Sequence, residues 1–365
     1  MKTNKSTLLN ISMLLLALIG LVLAFSLLLT SCSKKGSPTE LASGRRNVIY
    51  SYKLDDVMYP EQYTHIVISF LKTDKEGNIF ASSFPHKATK IKTFREKHPE
   101  VKILCSLGGG SNSDMLAPCI INAEARKKLA EQTAALIKDR ELDGVDLDWE
   151  YYDDYKASNA AYLDLARQLR ALLGKDYLIT MAGQKAEEFY AEESIVTMMN
   201  DVLDFTSVMT YDFDYEYRSN GKIGFNGNFT ETRALMEDYA RYVSKAKLNT
   251  GIPYYGGKYQ VKEDRVYARD EKAVSYLGSV NYPNVVKVIG DKAATPDGYA
   301  DDNGVALAVD NKTLYIFDNE TTVRTKAAWS CDQGFGGVMA WVASDDDGLA
   351  TLQKAVTDTL NNYRK

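Results

Sequence analysis

An α/β fold of the (β/α)8 barrel class is what this sequence predicts, on three observations. Eight short β-branched runs recur from residue 46 onward, amphipathic stretches of helical period lie between most of them, and the last strand is followed by a final helix pattern. A single large domain fits the composition, which is 45% apolar and 25% charged in 365 residues.

The chain begins with Lys2 and Lys5 ahead of an apolar run over 11–29, the pattern of a secretory leader spanning 1–31. The run ends Leu29-Thr30-Ser31-Cys32, which resembles a bacterial lipobox, so Cys32 is the expected lipidation site and residues 32–45 a linker of Ser, Lys, Gly and Pro. The alternative is an uncleaved anchor, since the run approaches spanning length. Either reading makes the protein exported and tethered to a bacterial membrane or cell surface through its N-terminus.

The expected strands are 47–52, 65–71, 102–107, 144–150, 177–182, 205–211, 249–254 and 335–341. Eight parallel strands close a (β/α)8 TIM barrel, here over 46–363. Helical patterns at 123–142, 157–173 and 230–246 fall between strands, and 349–363 follows the last. The interval between the seventh and eighth strands is too long for one helix. Residues 320–331 supply that helix and leave 258–318 as a small β-rich α+β insertion, with strands expected at 285–289, 305–309 and 313–317.

A net charge of −5 without a dense basic cluster excludes electrostatic binding to nucleic acid and favours a neutral or weakly charged ligand. Cysteine spacing shows no metal pattern and the histidines are His65, His86 and His98, too scattered for zinc, so neither metal nor cofactor is expected. With Cys32 lipidated, Cys105, Cys119 and Cys331 allow at most one disulfide. A monomer is expected.

The chemistry concentrates in Asp143-Gly144-Val145-Asp146-Leu147-Asp148-Trp149-Glu150. In a strand, Asp146, Asp148 and Glu150 share one face while Val145, Leu147 and Trp149 share the other. The apolar face packs on helices and the acids point into the barrel, with the last at the C-terminal mouth where such barrels carry active sites. Carboxylates about 7 Å apart in a partly desolvated interior cannot all ionise, so at least one holds a proton at neutral pH. A calcium loop would place Gly and Asn turns between its ligands, and a solvated edge would not carry Val, Leu and Trp opposite the acids. Asp143 reads as structural at the strand's start.

This motif resembles the D-G-x-D-x-D-x-E signature of family 18 glycoside hydrolases, the chitinases and their relatives. Further segments match in order: Ser106-Leu107-Gly108-Gly109 is similar to the family's S-x-G-G, and Met209-Thr210-Tyr211-Asp212 to its M-x-Y-D. Gly251-Ile252-Pro253-Tyr254-Tyr255-Gly256 and Gly336-Gly337-Val338-Met339-Ala340-Trp341 resemble the seventh and eighth strand segments. The insertion also falls where many chitinases carry a small α+β domain.

Retaining glycosidases usually flank the scissile bond with a nucleophile and an acid. Asp148 and Glu150 are neighbours on one strand and cannot do so, and residues 251–257 contain no acid to take the nucleophile's place. The resemblance implies that the substrate's 2-acetamido oxygen is the nucleophile and that an oxazolinium intermediate forms. It further implies that Glu150 is acid and then base, that Asp148 holds the acetamido N–H, and that Asp146 shares a proton with Asp148. By the same resemblance Tyr211 is expected to donate to the acetamido oxygen, Asp212 to contact the sugar, Trp341 to be its floor, and Met209 and Ser106 to line the site. Tyr151, Tyr152, Tyr215 and Tyr255 are candidates for outer subsites.

Chitinases often carry a Gly-Tyr pair in the first strand, whereas this chain reads Ile49-Tyr50-Ser51-Tyr52, which leaves Tyr50, Ser51 and Tyr52 open as the support beneath the acids. The implied substrate is chitin or chitooligosaccharide, polymers of β-1,4-linked N-acetylglucosamine. An endo-β-N-acetylglucosaminidase acting on N-glycans shares the same catalytic strand and is the alternative. Some relatives are lectin-like binders without catalysis, but those usually lack the acid that stands here at Glu150.

Overall fold

The computed structural model describes residues 44–150, 155–290 and 304–363. The leader, Cys32, nearly all of the linker, Tyr151 and Tyr152 lie outside them. Seven barrel strands follow in order: β1 (Arg46–Ser51), β2 (His65–Thr73), β3 (Lys102–Gly108), β4 (Gly144–Asp148), β5 (Leu178–Gly183), β6 (Phe205–Val208) and β7 (Leu248–Pro253). The chain then builds β8 (Tyr255–Gln260), β9 (Ser275–Asn281), β10 (Ala306–Asp310) and β11 (Thr313–Phe317), and returns to the barrel as β12 (Gly337–Trp341).

Strand β12 lies parallel between β7 and β1, and β1 also pairs with β2, so the eight-stranded parallel barrel is closed. Closure sorts the side chains. Val48, Tyr50, Val67 and Leu104 meet inside the barrel with Met339. Their neighbours Ile49, Ile66, Ile68, Ile103 and Cys105 join the larger core under the helices. Period-two alternation therefore makes two cores from the same strands.

Several helices start where a side chain satisfies their free N–H groups. Asn122 accepts from Glu124 and Ala125 N–H ahead of Ala123–Asp139, Asn228 caps Phe229–Tyr239, and Asn319 forms a capping box with Thr322 on Glu320–Asp332. The helices Tyr155–Leu173 and Thr351–Asn362 complete the elements expected from periodicity. Cys105, Cys119 and Cys331 are buried and free.

The segment between β7 and β12 forms an antiparallel sheet ordered β9-β8-β11-β10, with its own core of Tyr259, Val261, Leu314 and Ile316. Two features differ from the sequence expectation. Residues 285–289, read as a strand, belong to helix Tyr282–Ile289. Asn281 caps it, Pro283 sits in its first turn, and Tyr282, Val285 and Ile289 form its buried face, so helical spacing outweighs the β-branched composition. The sheet also starts at Tyr255, three residues before the expected boundary at 258, and β8 and β9 were not among the expected strands.

Candidate active site

Strand β4 supplies the acids and its register supplies their neighbours. Ser106 on β3 and Thr180 on β5 stand opposite Asp146 on either side. Both hydroxyls donate to it, Ser106 Oγ to Oδ2 at 3.0 Å and Thr180 Oγ1 to Oδ1 at 2.6 Å. Tyr50 adds a third donor to Oδ2, at 2.8 Å, from β1 inside the barrel. Of the three candidates in the first strand it is thus Tyr50 that supports the acids; Ser51 Oγ turns to Lys53 O, and Tyr52 is exposed. Burial raises the Asp146 carboxyl above its ordinary range and the three hydroxyls pull it back.

Asp148 has no such support. It is 3% exposed and its Oδ1 is buried without a hydrogen-bond partner. Burial, then the carboxylates of Glu150 and Asp146, raise it well above the ordinary carboxylate range. Asp146 spends its oxygens on hydroxyls, which leaves Asp148 free to turn toward a ligand.

Strand pairing ends at Asp148, earlier than expected, yet the alternation continues. Trp149 is buried edge-on against Tyr162 at 5.1 Å, and Glu150 faces the cavity with Asp148. Burial raises Glu150, the Gly110 N–H lowers it, Asp212 raises it and Lys185 lowers it. Its backbone N–H donates to Ser113 Oγ at 3.1 Å, which holds the residue just past the strand.

The glycines at the end of β3 have a steric reason. A Cβ on Gly108, at φ 113, would stand 2.2 Å from the Asp148 carbonyl, and one on Gly110 would stand 3.2 Å from both Glu150 carboxylate oxygens. The Gly109 N–H donates to Asp148 O at 2.7 Å. This turn must approach the acids with bare backbone.

Tyr211 and Asp212 follow β6, which ends at Val208, sooner than expected. Asp212 takes φ 57, a left-handed turn residue. Tyr211 is 5% exposed, and burial with the surrounding acids, Asp148 first, raises it well above an ordinary phenol, so it keeps its proton as a donor. Trp341 ends β12, stacks on Phe70 at 5.6 Å with 24° between planes, and meets Tyr50 at 5.6 Å. A cavity of about 140 Å³ is lined by Tyr50, Asp148, Glu150, Met209, Tyr211 and Trp341, among others. It adjoins a cleft of about 920 Å³ carrying Glu150, Lys185, Asp212, Tyr215, Arg218 and Tyr255.

Every site residue expected within the described segments therefore comes to one place, Asp146 and Ser106 beneath and the rest around the cavity and its adjoining cleft. Asp143 is held apart, by Arg95 at 2.9 Å and Lys102 at 3.3 Å, as a structural anchor. Sequence reasoning missed Thr180, Gly110, Lys185 and Arg218. Strand parity could have found Thr180, since β5 pairs with β4; nothing local marks Lys185 or Arg218. Arg218 lies 3.0 Å from Asp214 and 3.5 Å from Asp212, and donates to Tyr276 OH of the insertion at 3.0 Å. Among the described residues no group of three or more His, Cys, Asp or Glu could hold a metal ion.

The model of glycosyl hydrolases family 18 matches residues 40–346. Chitinase 1 of Aphanocladium album is 24% identical over 413 residues, which cover 95% of this chain and 94% of that protein. Chitinase 63 of Streptomyces plicatus is 27% identical over 305 residues, 74% of this chain, and the chain spans 47% of that relative's length. Among solved structures, a chitinase-like agglutinin from Robinia pseudoacacia superposes with a TM-score of 0.75 at 22% identity, covering 86% of this chain and 99% of that one. A class V chitinase from Nicotiana tobaccum gives 0.72 at 19% identity, covering 87% and 99%, and a mutant of it was solved in complex with NAG4. These likenesses show a common barrel fold.

Proposed function

Because the chain belongs to glycosyl hydrolases family 18, we propose that it is a glycosidase cleaving chitin or chitooligosaccharides after N-acetylglucosamine, with retention of configuration. The observation that carries this reading is Glu150 facing one cavity with Asp148, Tyr211 and Trp341. A raised carboxyl beside a second raised carboxyl, with a buried phenol donor lining the same cavity, suits proton delivery to a neutral sugar.

In the proposed mechanism the sugar sits on Trp341. Glu150 gives its proton to the glycosidic oxygen as the C1–O bond breaks, and the acetamido carbonyl oxygen bonds to C1, forming the oxazolinium. Tyr211 OH donates to that oxygen and Asp212 contacts the sugar. Asp148 turns its unpartnered oxygen to the acetamido N–H, and its proton moves within the Asp146–Asp148 pair so that a carboxylate faces the positive charge. Glu150, now ionised, takes a proton from water, which attacks C1, opens the ring and restores the acid.

The test is incubation with chitohexaose and, separately, with a high-mannose glycoprotein, with products read by mass spectrometry. Chitohexaose is cut by the wild type, and Glu150→Gln loses turnover while still binding the oligosaccharide. Near-normal hydrolysis by the variant, or a wild type that binds without cutting, sinks the proposal. A glucan lacking the N-acetyl group stays intact; its ready hydrolysis refutes substrate assistance.

The reading includes export of a monomer anchored by lipid on Cys32, supported by the Lys-rich start, the apolar run and Thr30-Ser31-Cys32. Metabolic labelling with a radioactive fatty acid in a bacterial host labels the wild type and not Cys32→Ala; equal labelling removes this part.

A further inference from the structure

Lys185 stands two residues beyond the end of β5, on the wall of the cleft that holds Glu150. Its Nζ donates to Tyr211 O at 2.8 Å and to Asp212 O at 3.3 Å. Its ammonium lies 5.8 Å from the centre of the Phe213 ring. Those two carbonyls belong to the turn that carries the phenol donor, and its second residue holds the left-handed φ of 57. A non-glycine residue in that region persists only where its surroundings over-determine it. The other side of the turn is tied by Asp212 N–H donating to Asn226 Oδ1 at 2.6 Å, and Asn226 in turn donates to Tyr255 O at 2.9 Å. Lys185 is the fastening on the barrel side.

We propose that Lys185 is a positioning residue: its ammonium clamps the Tyr211 and Asp212 carbonyls, and so holds the phenol and the Asp212 carboxylate in register with Glu150. The inference rests on the reading of this site as a glycosidase centre. It also assigns a purpose to a cation in a cleft for a neutral sugar. Two of the three ammonium protons are engaged by backbone, while the charge faces Asp212, Asp214, Glu150 and Glu231, with Arg218 as the other cation nearby. Glu150 in turn faces Asp148, Asp212 and Lys185, so removing the cation raises the acid that must stay protonated.

Lys185→Met and Lys185→Arg are compared with wild type on chitohexaose over a full pH range, and the Met variant is crystallised. The expected result for Met is a kcat lower by about ten- to a hundredfold, in line with a small misplacement of a catalytic group. Its KM changes little, the alkaline limb of kcat/KM moves to higher pH, and Asp212 leaves its positive φ. Arg, which keeps charge and donors, restores most of the rate and the position of the limb. A Met variant with wild-type kcat and limb, or a Met and an Arg variant impaired alike, overturns the clamp. Failure of the wild type to cut chitohexaose would instead strike the functional reading. The crystal structure still decides the clamp in that case: an unmoved Tyr211–Asp212 turn in the Met variant removes it.

Discussion

Tyr50 OH donates a 2.8 Å hydrogen bond to Asp146 Oδ2 across the barrel interior, joining the first strand to the acidic fourth. It is one of three hydroxyls on that carboxylate, and the three differ in origin. Ser106 and Thr180 are the neighbours of Asp146 in the sheet, whereas Tyr50 reaches it only because the barrel closes.

Tyr50→Phe removes one donor and keeps the ring against Trp341. With less to offset burial the Asp146 carboxyl rises further, and with one donor gone it is held less firmly beside Asp148, so the sharing of the proton between the two is altered. The expected outcome is a kcat reduced by about tenfold and a stability loss of about 1 kcal/mol. Steady-state kinetics and a urea melt check both.

Asp148→Asn should stabilise the protein while abolishing activity. The folded-state pKa of Asp148 is raised, by burial first and then by Glu150 and Asp146. Its neutral form therefore favours folding below the ordinary carboxylate range, and that advantage is lost as pH rises through the elevated folded value. The amide cannot ionise. Melting temperatures of variant and wild type should nearly coincide at acidic pH and separate in the variant's favour on the alkaline side; a variant that melts lower at alkaline pH contradicts the assignment.

Gly110→Ala and Gly108→Ala should differ in kind. At Gly110 the added methyl would crowd both Glu150 oxygens at 3.2 Å, so the carboxylate shifts and kcat falls by about ten- to a hundredfold with little change in melting temperature. At Gly108 it would meet the Asp148 carbonyl at 2.2 Å with φ at 113, so the variant loses about 1–3 kcal/mol or more of stability. Parallel kinetics and calorimetry separate the two.

The insertion is joined to the barrel through a buried ion pair, Lys326 with Asp318, both side chains 1% exposed. Burial lowers the lysine and raises the aspartate, and each partner opposes the other's shift. Lys326→Met leaves the aspartate uncompensated and is expected to cost about 3–5 kcal/mol at neutral pH. Adding Asp318→Asn should recover most of it. Denaturant melts of the single and double variants test the coupling; a double variant no better than the single rejects it.

Much of this was written locally. The parity of Asp146, Asp148 and Glu150 against Val145, Leu147 and Trp149 is a property of one short segment, so the acid-bearing face could be read without knowing what surrounds it. The eight barrel strands could be located because each is a short apolar run between helical periods, and their number pointed to closure. Residues 285–289 were misread because β-branched composition and helical spacing compete there, and the capped, buried face prevailed. The early ends of β4 and β6 likewise depend on where neighbouring strands stop pairing.

What the tertiary structure alone decided are the relations across the barrel. Tyr50 rather than Tyr52 supports Asp146, Gly110 gives Glu150 its backbone donor, and Lys185 fastens the Tyr211–Asp212 turn. None of these leaves a signal at its own position, because each joins segments far apart in the chain that meet only when the sheet closes. Sequence by itself determined which face of one strand carries the three acids, since that depends on alternation within a few residues. Which acid stays ionised and which keeps its proton depends on burial and on donors from other strands, and only the closed barrel supplies those.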